Sequence, residues 1–269
     1  MSENPDEYLD FISQRYHVKI KEDTQIENRV RSILDKRYSR NRQGVHISDL
    51  TLCMRQSLFR RLRPIPPNNR QIGFFFDGAR RHEALQELYT NNDPVHAIAE
   101  KKGNFEGVNY SIDIYQGFPI EFKTTNANKG ISSHWLRQNI YYMLASEAKN
   151  GILQIQRKRP KKNDNNFPAY LLELDENQRQ YWLNDFRERK DLFLKAVETS
   201  DPSILPVYRG EDEWKSGMPA WTCDDCTYLN ECNEIESKAG RPTYSPTIRR
   251  SYSRKPKTEE SLSASNIQK

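Results

Sequence analysis

The four cysteines of this chain fall at two places that are far apart in the sequence. Three of them form the pattern Cys223-x2-Cys226-x5-Cys232, and Cys53 precedes Cys223 by about 170 residues. Thiolates at such short spacing can reach one metal centre from a single turn, and a fourth ligand must then come from elsewhere. A site that contains all four would therefore join the N-terminal part of the fold to the C-terminal segment.

Spacing alone leaves three interpretations of these cysteines open: an iron–sulfur cluster, a structural Zn(Cys)4 site, or an ordinary buried position for Cys53. Disulfides are not expected, because a cytoplasmic chain keeps its thiols reduced. The expectation of a cytoplasmic protein comes from the acidic segment Met1–Phe11, which lacks the apolar run of a secretory signal. No run of about 18 apolar residues is present, so no membrane partner is expected.

Composition and charge divide the chain into three parts. Hydrophobic residues make up 35% of the sequence and charged residues 29%, so part of the chain is expected to stay outside a packed core. Residues 1–24 are predicted to be an N-terminal extension, and residues 25–237 to form the folded domain. Residues 238–269 hold eight basic and two acidic residues, a net charge of +6. This basic tail is predicted to be disordered, either as a nonspecific nucleic-acid arm or as a solvated end.

Hydrophobic patterns predict both helices and strands within the folded domain. Helices are expected at Glu27–Arg40, from Ser48 or Asp49 to the break at Pro64, and at Phe74–Tyr89, Trp135–Lys149 and Glu176–Val197. Strands are expected at Val108–Tyr115, Phe118–Thr124, Ile152–Gln156 and Ala169–Leu174. This order indicates one α/β domain with a central sheet, a helical N-terminal lobe and a cysteine-bearing C-terminal segment.

Several arginines lie in or just after the predicted helix that carries Cys53, or beside His82. Those near the cleft are better candidates than the tail for contacts with a nucleic-acid strand. They are Arg55, Arg60, Arg61 and Arg63 near Cys53, and Arg80 and Arg81 beside His82.

The segment YSIDIYQGFPIEFKTT contains two carboxylates and a lysine in a predicted β-hairpin. Glu121 and Lys123 are two residues apart on one strand, so their side chains share a face. Asp113 precedes Glu121 across the turn at Gln116-Gly117, and the hairpin can bring the two carboxylates together. Adjacent carboxylates repel each other, and a divalent cation relieves that repulsion. The alternative, which is favoured by the spacing alone, is a solvated strand face with a cross-strand ion pair.

Further motifs at other positions raise the weight of the metal-site interpretation. His82 closes the pattern Gly78-x3-His82 on a predicted helix, and Gln138-x3-Tyr142 follows the hairpin on another. Each motif alone is weak, since a lone histidine on a helix is more often a surface or core residue than a ligand. The ordered set is far more specific than any one of them.

Taken in order, these motifs resemble a known family. The order runs from the cysteine of SDLTLC through Gly-x3-His, Asp, Glu-x-Lys and Gln-x3-Tyr to Trp-x-Cys-x2-Cys-x5-Cys. It is similar to that of the RecB-type nucleases of the PD-(D/E)xK superfamily. The resemblance is strongest to the iron–sulfur exonucleases of CRISPR spacer acquisition, the fourth Cas protein family, and extends from about His46 to Cys232. One position departs from it: Tyr110 stands where many relatives have glycine, three residues before Asp113.

The resemblance implies a restriction-endonuclease-like core, with a mixed central sheet flanked by helices, and a lobe in which the cysteines hold an iron–sulfur cluster. The implied catalytic residues are Asp113, Glu121 and Lys123. The implied ligands of a Mg²⁺ or Mn²⁺ ion are His82, Asp113, Glu121 and the backbone carbonyl of Phe122. The implied ligands of a [4Fe–4S] cluster are Cys53, Cys223, Cys226 and Cys232. Contact with the DNA strand, or bracing of the site, is implied for Gln138 and Tyr142.

The function that these implications describe is a metal-dependent deoxyribonuclease. The resemblance implies exonuclease action on single-stranded DNA ends, with a CRISPR integrase complex as a partner during spacer acquisition. A stand-alone repair or end-resection nuclease is compatible with the same residues, and so is a noncatalytic, metal-stabilised DNA-binding scaffold. No Walker motif is present, so helicase activity is not expected from this chain.

Overall fold

The structure is a computed structural model that describes residues 43–125, 131–158, 165–207, 223 and 226–245, together with positions 25, 29 and 32–34. The predicted N-terminal extension and residues 246–269 of the basic tail lie outside the described residues. Most of the predicted helix Glu27–Arg40 does too, although positions 29 and 32–34 are helical. No helix in the described ranges combines the length and apolar character that a membrane crossing needs.

Helices and strands alternate along the described residues in the following order. The N-terminal helices are α1 (Ile47–Thr51), α2 (Met54–Leu62) and α3 (Asn69–Asn92). Three strands follow, β1 (Ile98–Phe105), β2 (Val108–Tyr115) and β3 (Pro119–Thr125), and then α4 (Ser133–Ala145). The remaining elements are β4 (Asn150–Arg157), β5 (Ala169–Glu173), α5 (Glu176–Thr199), a 3-10 turn (Pro202–Ile204) and α6 (Leu229–Lys238).

The five strands form one sheet in the order β1-β2-β3-β4-β5. The pairs β1–β2, β2–β3 and β4–β5 are antiparallel, whereas β3 and β4 are parallel and are connected through α4. A parallel pair needs such a crossover, because its two strands run in the same direction. The predicted mixed central sheet flanked by helices is confirmed.

The predicted helix between Ser48 and Pro64 is in fact two helices. The chain is extended at Leu52 and Cys53, where α1 ends and α2 begins. His46 rather than Ser48 or Asp49 precedes the first helical residue, and its backbone N–H donates to the Asp49 carboxylate at 2.9 Å. The break places Cys53 at the start of α2 instead of within a helix.

Helix α3 begins five residues before its predicted start at Phe74. The Asn68 side chain accepts from the backbone N–H of Gln71, and the Gln71 side chain accepts from the backbone N–H of Asn68. This reciprocal pair satisfies amide groups that would otherwise lack partners in the first turn. The prediction was wrong because the apolar pattern begins only after this cap.

Two groups of buried apolar residues hold the sheet between its helices. The larger one joins α1, α2, α4 and α5 to β2, with members such as Ile47, Leu58, Ile112, Tyr141 and Phe186. The smaller one joins α3 to the middle of the sheet, through Leu85, Ile114, Ile120 and Phe122. Burial of such side chains stabilises each contact by roughly 1.5–3 kcal/mol per residue. The hairpin β2–β3 is thus held between α3 and α4.

Candidate active site

Regular sheet pairing is interrupted around Asp113 on both sides. Between β2 and β3 it includes Ile114 with Ile120 and Tyr115 with Pro119, and stops before Asp113. Between β1 and β2 the pairing skips Asp113, because the opposite residue, Glu100, has a positive φ of 52°. Irregular strand positions of this kind often re-aim a side chain at a functional site.

Side chains replace the missing backbone bonds at Asp113. Its carboxylate Oδ2 accepts from the backbone N–H of Phe122 at 2.8 Å, and its carbonyl accepts from Gln86 Nε2 at 3.2 Å. Gln86 also donates to Glu100 at 2.8 Å, and Glu100 accepts from the Ser111 hydroxyl at 2.7 Å. Asp113 is therefore held in place from the backbone of β3 and from α3.

Glu121 is buried in the sheet beside Asp113, with 2% of its surface exposed. One carboxylate oxygen, Oε1, accepts from the Lys123 ammonium at 2.5 Å. The other, Oε2, is buried and has no hydrogen-bond partner among the described residues. Burial, followed by the negative charge of Asp113, raises the pKa of Glu121 to about 7. An oxygen in this condition is costly unless a cation or donor binds it.

Lys123 is anchored to α4 as well as to Glu121. Its ammonium donates to Gln138 Oε1 at 2.9 Å, and Gln138 Nε2 donates to the Tyr142 hydroxyl at 2.8 Å. Tyr142 is buried, with 4% of its surface exposed, whereas Gln138 is half-buried. The two residues of the Gln-x3-Tyr motif thus form a chain of hydrogen bonds that ends on the lysine.

His82 approaches Asp113 from α3. Its Nδ1 atom lies 3.5 Å from Asp113 Oδ1, and its ring meets the edge of Phe122 with centroids 6.1 Å apart. Burial disfavours the charged imidazolium, but the hydrogen bond and negative charge of Asp113 outweigh it and raise the pKa of His82. The structure therefore brings His82, Asp113, Glu121 and Lys123 close together beside strand β3.

These donors are suited to a divalent cation. Carboxylate oxygens bind Mg²⁺ and Mn²⁺, and an imidazole nitrogen is an accepted additional ligand for Mn²⁺. Among the described residues, no group of three or more His, Cys, Asp and Glu side chains is arranged as it stands to hold a metal ion. Glu121 Oε2 is nevertheless a buried oxygen that still lacks a partner, and Asp113 lies beside it. The donor chemistry and this unsatisfied oxygen fit a cation, which would draw the ligands closer.

Two further residues near the site were not predicted from the sequence. His134 on α4 is buried, with its Nδ1 2.7 Å from the Ser132 hydroxyl. Burial and the nearby charges of Lys123 and Arg137 lower the pKa of His134 to about 3, so the ring is neutral. Gln86 was placed on the correct helix, but its polar side chain gave no sign that it would bind the backbone of Asp113.

Tyr110 packs against a glycine of the neighbouring strand. It pairs with Gly103 of β1, where an added Cβ would lie 2.3 Å from the Tyr110 hydroxyl oxygen. Its ring also lies 6.4 Å from that of Tyr142. Gly103 thus leaves room for the tyrosine at position 110. The Asp113 carboxylate still accepts its hydrogen bond from the Phe122 N–H.

All four cysteines line one small cavity between α2 and the C-terminal segment. The Cys226 thiol accepts from Gln56 Nε2 and the Cys232 thiol from Arg55 Nη1, both at 3.6 Å. Burial raises the pKa of Cys53 to about 11, so without a metal its thiol is neutral. The cavity volume of about 20 Å³ is that of one small group, so a four-iron cluster requires the thiols to move apart. The thiol donor set itself fits a metal centre.

A buried ion pair fastens the C-terminal segment beside the cysteines. Arg55 Nη1 donates to Glu236 Oε1 at 2.8 Å, and their side chains are only 2% and 4% exposed. The same guanidinium donates to the carbonyls of Leu205 at 3.0 Å and Ser203 at 3.3 Å. Arg241 binds Glu236 from the other side at 2.7 and 2.8 Å. The prediction that Arg55 contacts DNA is therefore wrong, because its charge is used inside the protein.

Tyr228 provides a second attachment of the same segment to α2. Its ring stacks on Phe59 with centroids 5.5 Å apart. Its hydroxyl donates to the Arg63 carbonyl at 3.0 Å and accepts from the Ile65 backbone N–H at 3.2 Å. Residues 241–245, which the sequence placed in the tail, also contact α6, since Asn233 and Tyr244 exchange two hydrogen bonds.

No family model matches the sequence, and no curated protein matches it. Several solved structures align with the chain, among them the three that follow. The structure of SSO0001 has a TM-score of 0.49 and 18% identity, over 77% of this chain and 95% of that one. A phage-related exonuclease from Haemophilus somnus 129PT has a TM-score of 0.42 and 10% identity, over 60% of this chain and 96% of that one.

The third is an alkaline exonuclease from Laribacter hongkongensis, with a TM-score of 0.43 and 12% identity, over 58% of this chain and 91% of that one. All three TM-scores lie below 0.5, so the functional inference rests on the residues of the chain itself.

Proposed function

We propose that this protein is a Mg²⁺- or Mn²⁺-dependent deoxyribonuclease that acts on the ends of single-stranded DNA. The observation that carries the proposal is the buried Glu121 Oε2 atom, which lacks a hydrogen-bond partner in the described structure and lies beside Asp113. The anchored ammonium of Lys123 is the third component. Two carboxylates and a lysine in this arrangement suit the hydrolysis of a phosphodiester.

The ligands proposed for the cation are His82, Asp113, Glu121 and the Phe122 carbonyl. A bound divalent cation supplies Lewis-acid chemistry, since it activates water and screens negative charge on the phosphate. The Phe122 N–H holds the Asp113 carboxylate in one orientation before any substrate binds. Such preorganisation removes the cost of ordering the site during the reaction.

Lys123 is proposed to stabilise the charge that develops on the phosphate oxygens. Gln138 accepts a hydrogen bond from its ammonium, which would keep this anchor if Glu121 were a ligand of the cation. Tyr142 fixes the Gln138 amide in turn. Because Tyr142 is buried, we assign it to positioning, and we assign DNA contact only to Gln138.

The biological setting is proposed from the sequence resemblance. The order of motifs supports CRISPR spacer acquisition, with an integrase complex as partner, and a repair or end-resection nuclease would use the same site. The noncatalytic DNA-binding scaffold is less well supported, because such a scaffold does not require a buried carboxylate with an unsatisfied oxygen. Cleavage distinguishes these functions directly.

The first test compares Glu121→Gln with the control Glu106→Gln. Glu106 is also an ion-paired carboxylate, but it binds Arg187 and Lys190 at the β1–β2 turn. With end-labelled single-stranded DNA and Mn²⁺, we expect Glu121→Gln and Asp113→Asn to abolish cleavage and weaken Mn²⁺ binding in calorimetry. Lys123→Ala should reduce cleavage by about 100-fold or more and leave Mn²⁺ affinity nearly unchanged, since an ammonium is not a ligand.

Glu106→Gln should cut as wild type does. Cleavage by Glu121→Gln at the wild-type rate would show that the metal site lies elsewhere. A wild-type protein that binds DNA but does not cut it with either metal would establish the scaffold function.

For the cysteines, we propose a metal centre bound by Cys53, Cys223, Cys226 and Cys232. The family resemblance supports [4Fe–4S], and zinc is the alternative that thiolate chemistry equally allows. Binding would close the long loop between Cys53 and Cys223, so its free energy would contribute to folding. The proposed role is structural, because the four cysteines lie where the C-terminal segment meets α2.

The second test measures the metal content of anaerobically purified protein. We expect a brown protein with iron and acid-labile sulfide near four each per chain. Cys53→Ser should be pale and less soluble, with low nuclease activity, whereas the neighbouring variant Ser57→Ala keeps its colour. A colourless wild type with about one zinc per chain would establish the zinc site, and full colour in Cys53→Ser would remove Cys53 from the ligand set.

A further inference from the structure

The first turn of helix α2 directs two side-chain donors at the cysteines of the C-terminal segment. The Gln56 amide nitrogen Nε2 donates to the Cys226 sulfur, and the Arg55 guanidinium nitrogen Nη1 donates to the Cys232 sulfur, both at 3.6 Å. Successive residues of a helix point about 100° apart, so two neighbouring side chains can reach two different sulfur atoms. One helical turn thus serves two of the four cysteines.

The backbone of the same turn faces a third cysteine. Cys53 directly precedes the first helical residue of α2. Burial raises the pKa of the Cys53 thiol, and the backbone N–H groups of Gln56 and Arg55 oppose that rise. Amide groups in the first turn of a helix lack partners within the helix and stabilise negative charge. Both residues therefore favour negative charge on sulfur through their backbones as well as through their side chains.

A protonated thiol does not account for the position of the Gln56 amide. A neutral thiol is a weak acceptor, whereas a thiolate carries a negative charge and accepts strongly. Gln56 is half-buried, and within the described ranges the bond to Cys226 is the one hydrogen bond of its side chain. Burial of an amide against a weak acceptor costs free energy. The position is explained if Cys226 binds a metal as a thiolate.

Arg55 has the same relation to Cys232, but it cannot isolate the effect of a donor. Its Nη1 atom also donates to Glu236 at 2.8 Å, and its other nitrogens bind the carbonyls of Leu205 and Ser203. Replacement of Arg55 would loosen the C-terminal segment whatever its effect on the sulfur. Gln56 is free of this complication, so the effect of one donor on the cysteines can be measured through it.

We propose that Gln56 is a positioning residue of the cysteine metal centre, whose amide donates to the Cys226 thiolate and slows the release of the metal. This inference rests on the proposed metal centre and adds a residue that controls it. The bond fixes the orientation of the Cys226 side chain and offsets the cost of burying its negative charge. Iron and zinc are both bound by thiolates, so the inference holds for either metal.

Packing is the other role that Gln56 could have, because it lines the small cavity shared by the four cysteines. In that role only the size of the side chain matters. Three substitutions separate packing from donation. Gln56→Leu keeps a similar size without a donor, Gln56→Lys keeps N–H donors on a longer side chain, and Gln56→Glu keeps the shape but replaces the donor with a charged acceptor.

The experiment measures how fast the full chain loses its metal to excess EDTA under anaerobic conditions. Iron and zinc that remain on the protein are determined by elemental analysis, so the assay serves either metal. Loss of a group that hydrogen-bonds to a metal ligand typically weakens metal binding 10- to 100-fold. We therefore expect Gln56→Leu to lose metal about 10-fold faster than wild type and Gln56→Glu to lose it faster still. Gln56→Lys should restore a rate near that of wild type.

The matched control is Gln71→Glu. The Gln71 amide donates to the Thr227 hydroxyl at 3.4 Å, next to Cys226, rather than to a sulfur. Its carbonyl oxygen accepts from the Asn68 backbone N–H at 3.0 Å, and a glutamate keeps that bond. This variant makes the same change from amide to carboxylate beside the same turn of the chain. It should lose metal at the wild-type rate.

Three results would overturn the inference. Equal rates of metal loss for wild type and Gln56→Leu would show that the amide has no effect, while the metal centre stands. A Gln56→Lys protein that loses metal as fast as Gln56→Leu would assign Gln56 to packing alone. A wild type without iron or zinc after anaerobic purification would remove the metal centre and the inference with it. The nuclease function is tested separately, by cleavage with the Asp113 variant.

Discussion

Replacement of Glu236 by glutamine tests whether the buried ion pair holds the C-terminal segment on α2. Glutamine keeps the size of the side chain and one acceptor oxygen, but it removes the negative charge between Arg55 and Arg241. Breaking a buried ion pair on one side costs about 3–5 kcal/mol, because the remaining charge stays buried without its partner. Arg55 keeps its bonds to the Ser203 and Leu205 carbonyls, so we expect the lower end, about 3 kcal/mol.

The assay is equilibrium unfolding in urea, followed by fluorescence. A matched control lies two residues earlier on the same helix: Glu234 pairs with Lys238 at 2.7 Å, with both side chains largely exposed. Glu234→Gln should leave the midpoint unchanged, since exposed pairs contribute little. The double variant Arg55→Met/Glu236→Leu should cost less than the sum of its two single variants, because the pair is lost as a unit.

Equal unfolding midpoints for Glu236→Gln and Glu234→Gln would refute this reasoning. They would mean that Arg55 is satisfied by backbone carbonyls alone and that the charge of Glu236 contributes nothing to docking. An additive double variant would lead to the same conclusion.

Two further predictions follow from the helix α3 and from the tail. Gly78→Ala should raise the free energy of unfolding by up to about 1 kcal/mol, because alanine favours a helix and a Cβ atom at this position meets no other heavy atom within 4 Å; thermal unfolding measures the effect. Removal of residues 246–269 takes away six basic and two acidic residues but keeps Arg241 on Glu236. The truncated chain should show a shallower slope of log K against log salt and an unchanged cleavage rate at saturating DNA, and an identical slope would exclude contact between the tail and DNA.

The hairpin could be predicted because its sequence shows the two-residue alternation of a strand and a glycine at the turn. Strand β2 has the predicted bounds, Val108–Tyr115, and β3 begins one residue after its predicted start. Alternating apolar residues and Gly117 with a positive φ are sufficient for this. The proximity of Asp113 and Glu121 then follows from the register of two paired strands.

Strand β1 could not be predicted in the same way. Its sequence, IAEKKGNF, has no apolar alternation, because the strand lies at the edge of the sheet and pairs only with β2. The clearest mark of the strand is the turn Glu106-Gly107 at its end, where both residues have a positive φ. Without β1, the break in pairing opposite Asp113 could not be foreseen either.

The buried ion pair between Arg55 and Glu236 could not be predicted from the sequence, for a different reason. Arg55 and Glu236 are 181 residues apart, and charged residues are almost never fully buried unless they are paired. A prediction that considers each charged residue separately therefore places both on the surface. The cysteines were the only indication that these two parts of the chain meet.

The contrast between two buried glutamates separates structure from function in this protein. Glu236 accepts bonds from Arg55 and Arg241 on both of its oxygens, so its burial is compensated within the described chain. Glu121 is as deeply buried, but only its Oε1 atom has a donor, and the neighbouring Asp113 adds repulsion. A fold does not gain stability from such an oxygen. Its position is explained if a cation binds there, and this is why we assign chemistry to Glu121 and docking to Glu236.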